Sequence, residues 1–346
     1  MRDGLDEVDV ALLDAFHLNP RVSFDEVGTV VGVSAATAAR RWRRLVDSGR
    51  AWVSSAPGER LPVAAAVFEA ECEPGAANRV AERLATVPQA FTVNLTSGRN
   101  DVYALVVAAD QPTLARLLLD VLPGVGGLRG AETSPALRVF SSTRWRLGAL
   151  TREDARAVAG ERPTDDARTT FDEQDRRLYL ALQHDGRLGY RDLAVALGKS
   201  EAAVRRRVER LVRGGLLTFR TDFARSEAGW PIGIAVKLRV SDADVADVGR
   251  KLVQWPEVRL CCELLPGQAN VFLTLQLHEL TAVIGVIDRL GREFPGSSVV
   301  DTRLVIRPVK SWGRMLDDQW HASAVVPVDL WAAPGSDAFP QIDQVG

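Results

Sequence analysis

The chain contains part of itself twice. Laid over itself at an offset of 166 residues, Leu5–Ser55 matches Phe171–Thr221 without a gap. Identical pairs include Asp6/Asp172, Glu7/Glu173, Asp9/Asp175, Leu12/Leu178, Arg21/Arg187, Gly32/Gly198, Ser34/Ser200, Arg44/Arg210, Leu45/Leu211 and Gly49/Gly215. A repeat of this length is duplication, so a fold for one copy must also serve the other. At 346 residues the chain is too long for one ordinary domain, which agrees with a repeated module.

Each copy reads as three helices. The first runs over Asp6–Leu18 (Asp172–His184), started by its aspartate, and the second over Phe24–Val31 (Tyr190–Leu197) with Val27 or Leu193 inward. A short glycine-containing turn leads to the third, within Gly32–Gly49 and Gly198–Gly215. In that helix Ala38, Trp42 and Leu45, or Val204, Val208 and Leu211, recur every three or four residues and form one buried face. Arginines take the remaining surface: Arg40, Arg41, Arg43 and Arg44 in one copy, Arg205, Arg206, Arg207 and Arg210 in the other. Two helices joined by such a turn are a helix-turn-helix, whose second helix enters the major groove of DNA. The chain's net charge of −2 conceals this, because Ser34–Val46 holds four arginines and no acid.

After each helical copy the period changes. Strands are predicted at Val63–Ala70, Ala90–Ser97, Asp101–Ala108 and Ala136–Ser141, with helices at Ala76–Ala85 and Gln111–Leu122. The order recurs as strands Ile232–Val240, Val258–Leu265, Asn270–Leu277 and Ser298–Ile306, with helices Asp242–Gln254 and Glu279–Phe294. This is β-α-β-β-α-β, the ferredoxin-like unit: a four-stranded antiparallel sheet with two helices on one face. The second copy is the expected cover for the other face. The fold class is therefore α+β, two copies of a winged-type or three-helix helix-turn-helix domain followed by a ferredoxin-like domain for ligand binding and dimerisation. The expected domains are 1–56 and 171–222 (helix-turn-helix) and 61–143 and 230–312 (ferredoxin-like). Residues 144–170 read as a charged linker, and 313–346 as a tail whose last dozen residues are expected to lack order.

A helix-turn-helix followed by β-α-β-β-α-β resembles the Lrp/AsnC family of regulators, also called feast/famine regulatory proteins. Carrying the resemblance are Leu5-Asp6-Glu7-x-Asp9 and Phe171-Asp172-Glu173-x-Asp175, the turn and arginine-rich helix, Ser97-Gly98-x-x-Asp101, Leu122-Pro123-Gly124-Val125 and Glu132-Thr133. It implies a transcription factor whose second domain dimerises and binds a small effector, commonly an amino acid. In that family two subunits supply two DNA-binding heads; here one chain carries both, as a pseudodimer. Family members also build rings of dimers, which implies a possible homo-oligomer of such chains.

Residues near the start of each recognition helix can reach base edges, and later arginines can meet phosphate. The expected DNA contacts are Ser34, Ala36, Thr37, Arg40 and Arg43, and Ser200, Glu201, Ala202, Arg205, Arg206 and Glu209. Glu201 suits cytosine N4, and an arginine suits guanine. Arg41/Arg207 and Arg44/Arg210 can instead tie the helix to acids of the first helix. Ala35-Ala36-Thr37 differs from Glu201-Ala202-Ala203, so unlike half-sites are expected. Residues 5–55 hold six arginines and seven acids, net −1, whereas 171–221 hold eleven basic and seven acidic residues, net +4. Copy two should therefore dominate the salt dependence. By resemblance the effector meets Gly98, Arg99, Asn100 and Asp101, with Thr133. The corresponding residues of copy two are Gly267 and Asn270, with Thr302. Asn270 lacks the charge of Asp101, so one effector site is expected.

Other chemistry has little support. Cys72, Cys261 and Cys262 sit in apolar runs and read as core. His17, His184, His278 and His321 have no ligand spacing, so no metal or cofactor is expected. Gly124-Val125-Gly126-Gly127 lacks a P-loop lysine. No apolar run approaches a membrane span and no export signal opens the chain, so the cytoplasm is the expected compartment. The alternative to a regulator is an enzyme: siroheme decarboxylases resemble the same scaffold. That chemistry wants histidines and arginines converging in the sheet cavity, and His278 is the only histidine in either predicted ferredoxin-like unit.

Overall fold

A computed structural model describes residues 4–141, 147–159 and 170–333. It divides into two compact units. The first comprises Met1–Pro62, Arg146–Ala228 and His321–Pro327, the second Val63–Trp145, Gly229–Trp320 and Val328–Gly346.

The first unit holds α1 (Glu7–Leu18), α2 (Phe24–Val31), α3 (Ala35–Asp47) and β1 (Ala51–Pro57). It also holds α6 (Arg152–Val158), α7 (Glu173–His184), α8 (Tyr190–Leu197), α9 (Glu201–Arg213), β6 (Leu217–Phe223) and β12 (Ala322–Val325). Local chemistry sets the helix ends. Asp6 and Asp172 accept the backbone N–H of Asp9 and Asp175, whose carboxylates reach back to the cap, forming capping boxes. Gly32 and Gly198 close α2 and α8 at φ +75° and +61°, the left-handed conformation that only glycine adopts freely. Ala38, Trp42 and Leu45 are buried on α3, and Val204, Val208 and Leu211 on α9. Burying a Val or Leu side chain contributes about 1.5–3 kcal/mol, so these faces decide how each helix docks.

Four elements of this unit, β1, β6, α6 and β12, have no counterpart in the predicted pattern. β1 and β6 pair antiparallel from Ala51↔Phe223 to Pro57↔Leu217, joining the two helical copies in one ribbon. The expected linker begins with α6, capped by Thr151. Asp14 of α1 is buried and accepts the N–H groups of Leu147 and Leu150, which seats the approach to α6. Residues 144–146 and 160–169 of that linker lie outside the described residues, as do the last residues of the tail.

The second unit contains β2 (Ala64–Cys72), α4 (Ala77–Thr86), β3 (Ala90–Thr96), β4 (Val102–Ala108), α5 (Gln111–Arg116) and β5 (Leu128–Ser141). Then follow β7 (Ile232–Arg239), α10 (Val245–Leu252), β8 (Val258–Leu264), β9 (Val271–Leu277), α11 (Ala282–Glu293), β10 (Ser298–Ser311) and β11 (Arg314–Leu316). The element order is the expected one, but the sheets do not stack as separate layers. The spatial order β10-β3-β4-β2-β5-β8-β9-β7 returns to β10, so eight antiparallel strands close a barrel. Pairing of β5 with β8 and of β10 with β3 removes all four sheet edges. The expected helix Gln111–Leu122 is α5 only to Arg116, then a π turn over Leu117–Val121 and a 3-10 turn to Gly124.

Val67, Tyr103, Leu105, Ala235, Leu260, Cys262, Leu264 and Phe272 pack inside the barrel. Glu69, Lys237 and Arg303 are buried with them, and both cations pair with Glu69. Burial pushes the Arg303 guanidinium down to about 10. The three cysteines are buried, and burial pushes the Cys262 thiol up to about 12. Among the described residues no helix is long and apolar enough to cross a membrane.

Candidate nucleic-acid interface and effector loop

Ser34 and Ser200 cap α3 and α9 by accepting the N–H of Thr37 and Ala203. The capped ends leave Ser34, Ala36, Arg40 and Arg43 exposed, with Thr37 half-buried; in copy two Ser200, Glu201, Ala202, Arg205, Arg206 and Glu209 are all exposed. In each copy the residues expected at the DNA thus lie on the accessible side of the cap and helix, Thr37 only in part. Not all are idle. Arg205 Nη2 donates to Glu201 Oε1 at 3.0 Å and its guanidinium lies 5.1 Å from the Tyr190 ring. Glu201 is therefore paired with Arg205, in contrast to the lone acceptor expected for cytosine. Arg206 has the unencumbered outward position.

The four remaining arginines hold the helices. Arg41 Nη1 donates to Asp6 at 2.7 Å and Asp9 at 2.9 Å, and Arg44 to Asp9. In copy two Arg207 Nη1 reaches Asp172 at 2.8 Å and Asp175 at 2.6 Å, while Arg210 Nη2 meets Asp175 at 2.9 Å. Asp9 and Asp175 are fully buried, so each carboxylate needs its two guanidinium partners. Burial raises the Asp6 carboxyl, but its Arg41 and Asp9 hydrogen bonds outweigh that and hold it below the usual range. The recognition helix is thus bolted to the first helix by the acidic motif that opens each copy.

Arg21 and Arg187 were legible only as an identical pair. In the structure Arg21 donates to the carbonyls of Gly186 and Leu188, and Arg187 to those of Pro20 at 2.6 Å and Val22 at 2.9 Å. Arg187 also lies 4.5 Å from the Phe16 ring and 4.7 Å from that of Phe24. The two copies therefore clasp each other through one repeated residue.

The expected effector loop is the β3–β4 turn. Gly98 has φ +95°, and a Cβ there would come within 3.3 Å of Arg303 Cγ. Arg99 is 89% exposed, and the Asn100 carbonyl accepts Thr96 Oγ1–H at 2.8 Å. Asp101 Oδ2 accepts the Cys72 N–H at 2.7 Å, which commits that oxygen to the end of β2. Thr133 is exposed but pairs with Phe68, four residues back along β2, roughly 13 Å at 3.3 Å per residue. The structure thus separates Thr133 from the loop. Copy two repeats the separation. Asn270 is fully buried, accepts the Val240 N–H at 2.9 Å and donates to Val240 O and Asp242, whereas Thr302 pairs with Val236 and Gly267 is exposed. Asp101 and Asn270 do the same job: each ties down the end of the first strand of its sheet.

Comparison with known proteins agrees with this geometry. The AsnC-type helix-turn-helix domain matches residues 5–46 and again 171–212, and the Lrp/AsnC ligand binding domain matches residues 65–146. An uncharacterised HTH-type transcriptional regulator of Pyrococcus furiosus is 29% identical over 145 residues, 41% of this chain and 96% of the relative. One of Pyrococcus abyssi is 28% identical over 133 residues, 38% of this chain and 84% of the relative. Among solved structures, the siroheme decarboxylase NirDL superposes with a TM-score of 0.56 at 13% identity, covering 91% of this chain and 96% of that one. That likeness is one of fold. With two AsnC-type helix-turn-helix domains and an Lrp/AsnC ligand-binding domain, the chain belongs to the Lrp/AsnC family of transcriptional regulators.

Proposed function

We propose that one chain is a complete two-headed reader of double-stranded DNA, in which residues 1–56 and 171–222 bind unlike half-sites under control of a small effector. The carrying observation is the contrast between anchoring and display. The arginines that bolt α3 and α9 in place recur in both copies, as do Ala36/Ala202 and Arg40/Arg206 on the displayed side, whereas the positions around them differ: Ala35, Thr37, Ala39 and Arg43 stand where copy two has Glu201, Ala203, Arg205 and Glu209. Like supports with unlike readers suit an asymmetric operator. The +4 charge of copy two against −1 for copy one assigns it the larger share of phosphate neutralisation. The effector is an amino acid at the copy-one loop, where Asp101 keeps one carboxylate oxygen uncommitted to Cys72 while Asn270 is wholly engaged. Residues 61–143 and 230–312 act as the effector and dimerisation domains.

Selection of binding sites from random duplexes, followed by nuclease footprinting, tests this. The expected result is a protected site with dissimilar halves. A perfect palindrome would overturn the two-reader proposal, and absence of any protected site would overturn DNA reading itself. The decarboxylase alternative rests on the fold: Arg303 and Lys237 do lie in the barrel, but His278 is exposed and stacks on Trp230 with ring centroids 3.8 Å apart. A tetrapyrrole-dependent visible absorption band would favour it.

A further inference from the structure

The recognition helices end at one repeated residue, Gly49 after α3 and Gly215 after α9, with φ +68° and +67°. Behind α9 the backbone is gripped twice: Gly58 N–H donates to Leu216 O at 3.1 Å and Arg60 N–H to Gly215 O at 2.9 Å. The repeat offset of 166 maps Gly58 and Arg60 onto Ala224 and Ser226, and Leu216 and Gly215 onto Arg50 and Gly49. The first bond has its counterpart, since Ala224 N–H donates to Arg50 O at 2.8 Å. The second does not come from Ser226. Gly49 O accepts instead from Ala322, far along the chain, at 2.8 Å.

The replacement is tightly fitted. A Cβ on Gly49 would fall 2.4 Å from Ala322 O. Next to it, His321 Nε2 lies 2.6 Å from Glu227 Oε1, whose partner oxygen accepts Arg50 Nε–H at 2.8 Å. This short segment, His321–Pro327, is flanked on both sides by chain of the barrel unit. Before it β11 pairs with β10; after it Val328 and Leu330 are fully buried, and Leu330 O accepts the Ala109 N–H at 2.9 Å.

We propose that His321–Pro327 is a regulatory strap, through which the ligand-binding barrel sets the end of recognition helix α3 and leaves α9 to the β1–β2 connection. The chain is held firmly just before and just after the strap. A displacement of either anchor must therefore be taken up within a few residues, at Gly49. The consequence for DNA rests on the reading of α3 and α9 as two heads; the mechanical asymmetry does not.

The test is hydrogen–deuterium exchange with mass spectrometry on the full chain, comparing wild type with Ala322→Pro, which removes the donor to Gly49. Exchange of amides over residues 47–52 should quicken roughly five-fold or more, with residues 213–218 unchanged. Glu227→Gln, which weakens the His321 and Arg50 contacts while keeping their shape, should act in the same direction and serves if the proline variant does not fold. Unchanged exchange at 47–52 in the folded variant, or equal quickening at both helix ends, would overturn the strap. In footprinting, Ala322→Pro should weaken protection of one half-site only. Equal weakening of both halves speaks against the strap, whereas wild type failing to bind DNA overturns the head assignment and leaves the exchange asymmetry to decide the strap.

Discussion

Arg21 and Arg187, 166 positions apart and identical in the repeat, each donate two hydrogen bonds to backbone carbonyls of the other helical copy. Both are half-buried, and burial pushes the Arg187 guanidinium down to about 10. Removing either leaves two carbonyls without their charged donor. Arg187→Ala should cost on the order of 2–3 kcal/mol in chemical denaturation. Arg187→Lys should recover little, because a single ammonium cannot span two carbonyls and stack on Phe16 and Phe24 as a planar fork does. A variant with the wild-type midpoint would refute the clasp.

Neighbouring arginines on α9 should separate cleanly. Arg206 is exposed, so Arg206→Ala should weaken DNA binding by about 1–3 kcal/mol while leaving the melting temperature unchanged. Arg207 supports buried Asp175, so Arg207→Ala should lower the melting temperature first. Paired melting and mobility-shift titrations decide this, and identical profiles would remove the distinction.

Asp101 and Asn270 predict each other's tolerance. Asp101→Asn keeps an acceptor for the Cys72 N–H and should leave stability near wild type, whereas Asp101→Ala should cost roughly 1–3 kcal/mol. If the uncommitted oxygen serves an effector ammonium, Asp101→Asn should nevertheless abolish heat release when amino acids that bind wild type are titrated in. Calorimetry that shows two equivalent sites per chain would contradict the single-site reading.

Lys310 of β10 is fully buried, its Nζ donating to Val87 O at 3.1 Å, and burial pushes it down to about 7. In the unfolded chain it returns to about 10.4. Between those values the unfolded chain carries a proton that the folded chain has released, so stability rises with pH there, by up to about 1.4 kcal/mol per pH unit. Denaturation midpoints measured from pH 7 to 8.5 should climb in wild type and stay flatter in Lys310→Met. Parallel curves would show that Lys310 keeps its proton when folded.

The three helices of each copy were legible because their causes are local: capping aspartates and serines, left-handed glycines, and apolar residues at helical spacing. Partition of the arginines followed from the same spacing, since Arg41 and Arg44 flank the Trp42 face and turn towards Asp9. β1 was missed because Ala51–Pro57 has no alternation of its own and is buried along most of its length; its partner lies in the other copy. The barrel was missed for a related reason. Strand sequence says which face is apolar, but closure depends on edge-to-edge register between β5 and β8, and nothing local encodes that. Spacing within the effector loop was not legible, because a motif fixes order along the chain and not distance: Thr133 sits four residues along a strand from the place where Asp101 is tied.

The buried ion pair in the barrel bears on how such a chain could have arisen. Val67 pairs with Ser134 and Ala235 with Arg303, and two residues further on stand Glu69 and Lys237. Glu69 and Lys237 thus occupy matching places in the two half-barrels, as do Ser134 and Arg303. Were the first half to associate with a second copy of itself, acid would confront acid with neither cation nearby; the second half would set lysine against lysine. Opposite charges at related positions require two unlike halves, which the fused chain supplies. The duplication has thereby broken its own symmetry: each half carries a buried charge that only an unlike mate can neutralise.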